Sequence, residues 1–183
     1  MREHAQVRTA PDNTAVVQIT AIGGRTLLRL KSWLPEHTTG GKPVMLAGRE
    51  LPSQVGGTLS GPMRVLCVGP GEWVIVSSEH PASAVRERLE PDLPKHGLAL
   101  VDLTDGLAGL EVRGSATRDV LSKACGLDLH PRSFPVGRCA RTRFAQIPVI
   151  ITSLDEPPRF ELYMVRSHFH YLRAWLGDAA AEF

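Results

Sequence analysis

The densest group of charged and reactive side chains lies between Glu111 and Arg143, where Arg113, Arg118, Lys123, Arg132, Arg138, Arg141 and Arg143 are set against Glu111, Asp119 and Asp128. Within it, Pro131 and Pro135 stiffen a loop expected to expose His130, Arg132 and Phe134. Two-residue periodicity in the following strand then sends Arg141 and Arg143 to one side and Thr142 and Phe144 to the other. Two readings of this segment stand on the residues alone. It is a solvated basic edge that discourages strand pairing, or it is a docking surface, since arginines beside an aromatic on a rigid backbone anchor interfaces well. Cys139, between Arg138 and Arg141, invites a second pair of readings: a thiol activated by neighbouring positive charge, or a half-buried strand cysteine.

Other candidate sites are weaker on their own chemistry. Asp102, Asp105 and Glu111 could act as a general acid and base, but their strand and turn positions suit backbone hydrogen bonding better. His168 and His170 are two residues apart on an expected helix and point to different sides, which suits surface residues better than a shared metal. Gly69-Pro70-Gly71 lacks the Lys-Ser/Thr of a phosphate loop and reads as a hairpin turn with Trp73 in the core. Cys67, Cys125 and Cys139 form no CxxC or Cys/His box, and Cys125 falls near a helix C-terminus, where a thiolate is disfavoured. No catalytic, cofactor-binding or metal-binding residue is assigned. The interface set is His130, Arg132, Phe134, Arg138, Arg141 and Arg143.

The elements that must carry these residues follow a strand–strand–helix rhythm. Ala15–Ile19 and Thr26–Leu30 around Gly23-Gly24 suggest a first hairpin, and Pro35 to Gly61 is mostly irregular apart from Val44-Met45-Leu46. Met63–Val68 and Glu72–Val76 form a hairpin, followed by a helix starting at Pro81 with Ala82, Val85 and Leu89 as its apolar stripe. Leu98–Leu103 and Leu107–Val112 flank Thr104-Asp105-Gly106. The next helix has Ser115 as cap, Ala116, Val120, Leu121 and Ala124 inward, and Gly126 as its left-handed end. Ala140–Thr152 and Arg159–Val165 flank Asp155–Pro158, and Ser167 caps a last helix bearing Phe169, Leu172 and Leu176. This alternation predicts an α+β fold of antiparallel or mixed sheets with helices on one face. The division expected is 1–62, continuing to about 97, and then 98–183, with the first dozen residues a loose arm.

A chain of 183 residues is long enough to bury roughly two-thirds of its unfolded surface without staples. A net charge of +2 is too small for a nucleic-acid footprint. There is no apolar run of membrane-spanning length and no secretory pattern at Met1–Gln6, so a cytoplasmic location with no membrane partner is expected.

The stretch Leu127-Asp128-Leu129-His130-Pro131-Arg132, Phe134-Pro135 and Gly137-Arg138-Cys139-Ala140-Arg141-Thr142 resembles the characteristic segment of the gamma subunits of heterotetrameric sarcosine oxidases. Similarity continues upstream in Val101–Gly106 and Leu110–Leu121, and downstream in Phe160–Ser167 and Leu172–Leu176. It covers most of the chain from about Pro62, and the first sixty residues match only loosely. The strand–glycine–helix part also looks like the folate-binding aminomethyltransferase of the glycine cleavage system. The resemblance implies a truncated aminomethyltransferase-like fold in a non-catalytic structural subunit, partnered by alpha, beta and delta subunits, with no nucleic acid involved. It further implies that the complex demethylates sarcosine oxidatively to glycine, with FAD, FMN, NAD, tetrahydrofolate and zinc held by those partners. The alternative is a free-standing folate-dependent aminomethyltransferase-like one-carbon protein.

Overall fold

Runs such as Val65-Leu66-Cys67-Val68 and Trp73-Val74-Ile75-Val76 are apolar on both sides of the pleat, so strands built from them need cover on both faces. The computed structural model, which describes residues 16–38 and 43–183, supplies that cover by stacking two antiparallel sheets with helices outside each. The expected N-terminal arm and part of the irregular segment after Pro35 lie outside the described residues.

The chain opens with β1 (Gln18–Ile22), β2 (Thr26–Ser32), a short α1 (Pro35–Thr38) and the small ribbon β3 (Met45–Leu46) and β4 (Arg49–Glu50). Next come β5 (Thr58–Leu59), β6 (Met63–Gly69), β7 (Glu72–Ser77), α2 (Ala82–Leu89) and β8 (Leu98–Asp102). The remainder is β9 (Leu107–Arg113), α3 (Thr117–Ser122), β10 (Cys139–Phe144), β11 (Ile147–Asp155), β12 (Arg159–Val165) and α4 (Phe169–Ala180). One sheet has the order β5-β6-β7-β2-β8 and the other β1-β9-β12-β11-β10.

Alternation along each strand sorts side chains into layers. On β6 and β7, Leu66, Val68, Val74 and Val76 face the second sheet and meet Cys139, Ile150 and Tyr163, while Val65, Cys67, Trp73 and Ile75 face outward to Val85 and Leu89 of α2. On the second sheet, Leu110, Val112, Ile151, Phe160 and Leu162 face Val120 and Leu121 of α3 and Leu172 and Leu176 of α4. Each such buried aliphatic or aromatic side chain contributes about 1.5–3 kcal/mol. The α+β class and helices on one face of each sheet agree with the sequence. The face-to-face stacking of the sheets is new.

Several local expectations are corrected. β1 and β2 are not a hairpin: β1 pairs with β9 in one sheet and β2 with β7 and β8 in the other. Likewise β8 and β9 belong to different sheets, so the chain crosses between layers at residues 23–25 and again at 103–106. The run 140–152 is two strands, split by a tight turn at Ala145 (φ 44°) and Gln146 (φ 71°). Ser115 and Ser167 cap nothing, since the residues preceding α3 and α4 are Ala116 and His168, neither with a side-chain cap, and Gly126 is not left-handed. By contrast, the hairpin at Gly69–Gly71 and the helix following Pro81 form where the residues place them. No helix among the described residues is long and apolar enough to cross a membrane.

The layer between the sheets contains one fully buried carboxylate. Glu161 of β12 is 0 % exposed; it receives Arg25 Nη2 at 3.2 Å, Tyr163 Oη–H at 2.7 Å, and Arg64 Nη2 from β6 in the opposite sheet. Burial opposes the charge on Arg64, but the adjacent Glu161 outweighs it and raises the guanidinium's pKa. Burial and the same carboxylate push the Tyr163 phenol upward. Removing one partner of such a group strands the others without solvent. Glu161→Ala should therefore lower unfolding stability by about 3–5 kcal/mol, read as a shift in the urea midpoint.

Candidate partner interface

The segment from Gly126 to Gly137 is a loop knit by its own polar groups. Asp128 accepts from the His130 amide at 2.9 Å and from Ser133 Oγ at 2.5 Å, and these two hydrogen bonds, Ser133 first, hold its carboxyl below the usual range. The His130 carbonyl accepts the amides of Ser133 and Phe134 at 2.9 and 2.8 Å, and His130 Nδ1 accepts that of Arg132 at 3.2 Å. His130 is thus a hydrogen-bonding centre within the loop.

Phe134 departs from expectation. It is buried, stacked on Phe160 with ring centroids 6.3 Å apart, and it belongs to the core beneath α3 and α4. Arg118 lies 4.9 Å from the Phe160 centroid, donates to the carbonyls of Leu129 and Phe134, and pairs with Glu156 at 2.5 Å. The aromatic ring thus anchors the loop inward, and the exposed apolar residue of the loop is Val136 instead. The two prolines stiffen the loop but do not decide which of its side chains turns inward.

The arginines divide in the same way. Arg141 Nη2 and Nη1 reach Glu72 Oε1 and Oε2 at 2.6 and 3.3 Å, tying β10 to β7 across the two sheets, with Arg29 Nε at 2.9 Å from the same carboxylate. Burial works against ionisation of Glu72, but the Arg141 hydrogen bond and the charges of Arg141, Arg29 and Lys31 outweigh it and lower its pKa. Arg138 is half-buried, its strand position bridged to Gly57, and its guanidinium lies where a Cβ on Gly56 (φ 87°) would come within 2.8 Å. Arg132 and Arg143 are exposed, and the Arg143 guanidinium donates to the Gln146 carbonyl at 3.1 Å. Phe144 points to the opposite side, against Trp175, as the two-residue period predicts.

Two exposed apolar residues beside this segment were not singled out from the sequence. Val136, between Pro135 and Gly137, and Val55, in the neighbouring loop, are both close to half exposed, and the loops are joined by Thr58 Oγ donating to the Gly137 carbonyl at 2.7 Å. An apolar residue in a proline- and glycine-flanked turn was the available signal. The exposed side of these loops carries Arg132, Val136 and Val55, and Phe134 packs beneath it into the core.

The remaining candidates take ordinary structural places. Asp102 Oδ1 accepts the Thr104 amide at 2.9 Å, and the hydrogen bonds from Thr104 lower its pKa. Glu111 meets Arg159 at 3.5 Å. His168 lies in the turn before α4 and His170 on its first turn. Cys139 is buried, its Sγ 3.5 Å from the Cys67 carbonyl; burial, with Cys67 adding and Arg138 opposing, pushes its thiol up to about 12, the reverse of an activated nucleophile. Among the described residues no group of three or more His, Cys, Asp or Glu is placed to hold a metal ion.

The whole architecture is that of an aminomethyltransferase-like fold. The chain superposes on glycine cleavage system aminomethyltransferase T from Bartonella henselae with a TM-score of 0.66 at 15% identity, covering 92% of this chain and 47% of that one. A heterotetrameric sarcosine oxidase from Corynebacterium sp. U-96, in complex with pyrrole 2-carboxylate, contains a chain that matches at TM-score 0.79 and 29% identity, covering 91% of this chain and 85% of that one. The family model described as sarcosine oxidase, gamma subunit family matches residues 43–182. Sarcosine oxidase subunit gamma from Corynebacterium sp. (strain U-96) is 32% identical over 170 residues, 91% of this chain and 80% of that protein. The Arthrobacter sp. subunit gamma is 36% identical over 139 residues, 74% of this chain and 66% of that protein. This chain belongs to the sarcosine oxidase gamma subunit family.

Two predictions follow from the site's geometry. Phe134→Ala should cost about 3–5 kcal/mol of stability, whereas Arg132→Ala should change it by less than about 0.5 kcal/mol, both measured by chemical denaturation. Because the folded pKa of Glu72 lies below its unfolded value, its contribution is present above the unfolded carboxylate range and is lost as pH falls through the folded value. Glu72→Gln should therefore flatten the acid limb of a stability-versus-pH profile relative to the unsubstituted protein.

Proposed function

We propose that this chain is the non-catalytic structural gamma subunit of a heterotetrameric sarcosine oxidase that demethylates sarcosine oxidatively to glycine in the cytoplasm. The observation that carries the reading is the family match over residues 43–182. In this reading alpha, beta and delta subunits are its partners and hold FAD, FMN, NAD, tetrahydrofolate and zinc, while this chain contributes a docking surface. That surface consists of His130, Arg132, Arg138 and Arg143 with Val136 and Val55, and Arg141 contributes from its exposed half.

The physical support is a division of labour in the loop. Phe134 and Arg118 fix the backbone from below, so Arg132 and Val136 can meet a partner with little further loss of conformational freedom. The alternative, a free-standing folate-dependent aminomethyltransferase-like protein, draws on the shared fold. The chain spans 47% of that transferase.

Co-expression with the three partner subunits tests the proposal. Stoichiometric co-elution and sarcosine-dependent peroxide formation by the complex are expected. Arg132→Glu with Arg143→Glu should weaken assembly at least about tenfold without lowering the thermal midpoint of the isolated chain. Turnover of an amine substrate by this chain alone, or saturable tetrahydrofolate binding with no assembly, would favour the alternative.

A further inference from the structure

The two places where the chain changes sheets lie side by side. The Leu103 amide donates to the Leu27 carbonyl at 2.8 Å, and the Leu27 amide to Thr104 Oγ at 3.1 Å. Between these crossings and the first turn of α4 opens a cavity of about 750 Å³, inside the roughly 300–1,000 Å³ range of small-molecule sites. Its walls are largely apolar, with Ile22, Leu27, Leu107 and Phe169 among them. Gly109 keeps it open at the Tyr163 ring: a Cβ there would stand 3.0 Å from Tyr163 Cε1 and 3.1 Å from Ile22.

Its charged lining groups are Arg25, Arg166 and Asp105. Arg166 donates to the main-chain carbonyls of Asp105 at 2.6 Å, Thr104 at 3.2 Å and Leu107 at 3.1 Å, and among the described residues no carboxylate pairs with it. Arg25 shares the single carboxylate of Glu161 with Arg64, and its Nη1 and Nε have no partner among the described residues. Asp105 is the one acid lining the cavity. Arg25 and Arg166 against Asp105 thus leave an excess of one positive charge along the lining, while the half-buried Phe169 ring offers flat apolar surface.

We infer that this cavity binds a small carboxylate with a flat, unsaturated body. The carboxylate engages the free donors of Arg25 and Arg166, a charge-assisted pairing suited to the guanidinium fork, and the body packs against Phe169 with Ile22 and Leu107 beside it. The inference concerns a ligand held by the chain itself and does not depend on which partners it assembles with.

A fluorescence titration of the purified full chain with 2-aminobenzoate tests it, using 2-aminobenzamide as the uncharged isostere. Saturable one-site binding of the acid is expected, with the amide at least about tenfold weaker. Arg166→Gln should weaken the acid by a similar factor and leave the amide unaffected. Ala21→Trp fills the rim from an exposed position on β1 and should abolish binding of both, which keeps the test informative should Arg166→Gln disturb its loop. No saturation below about 10 mM, equal affinity for acid and amide, or undiminished binding by Ala21→Trp would each overturn the inference.

Discussion

Glu161 has no access to water, and it sits where two sheets meet, so its charge ties their relative placement to hydrogen-bonding geometry as well as to apolar contact. Leu27, Leu66, Val68, Val74 and Val76 can pack against Ile150 and Tyr163 in more than one offset, because dispersion is non-directional. A buried carboxylate that must receive Arg64 from one sheet and Tyr163 from the other has far fewer solutions. Glu72 repeats the device nearer the surface, joining Arg29 on its own sheet to Arg141 on the facing one. Both pins use arginine, whose fork reaches across a layer without giving up its charge.

What the sequence revealed and what it concealed follow from the range of each signal. The hairpin at Gly69–Gly71 and the helix at Ala82–Leu89 are local, set by glycine tolerance of positive φ and by a three-and-four apolar spacing, and both form as read. The opposite sides taken by Arg141 and Phe144 were equally legible, because pleat alternation needs only the strand. Which strand pairs with which is not a local property. Gly23-Gly24 looks like a hairpin turn, yet the chain there leaves one sheet for the other, a choice made by distant β7 and β9. The turn at Ala145-Gln146 escaped notice because neither residue is one that favours positive φ.

In the loop before β10 the same limit has a chemical form. Phe134 and Val136 are two residues apart in a loop, and nothing in their types says that the larger one goes inward. The structure decides it through Phe160 and Arg118, whose positions depend on β12 and α3. Cys139 shows the error in reverse. Neighbouring arginines in sequence suggest an activated thiol, but Arg141 spends its charge on Glu72, and burial between sheets dominates what Arg138 can offer.

Topology then separates the two surfaces that remain. The basic loop leads into β10, one edge of its sheet, while the cavity is bounded by the end of β1, the opposite edge. Four strand spacings lie between those edges, about 19 Å, and the strands between them are buried on both faces. A partner seated on the β10 edge therefore need not cover the cavity mouth, and a ligand in the cavity need not displace that partner. Two physical links join the two surfaces: Tyr163 on β12, the strand midway between the edges, lines the cavity and hydrogen-bonds Glu161, and Glu72 ties Arg141 of β10 to Arg29 of β2, whose Thr26 and Leu27 also line the cavity.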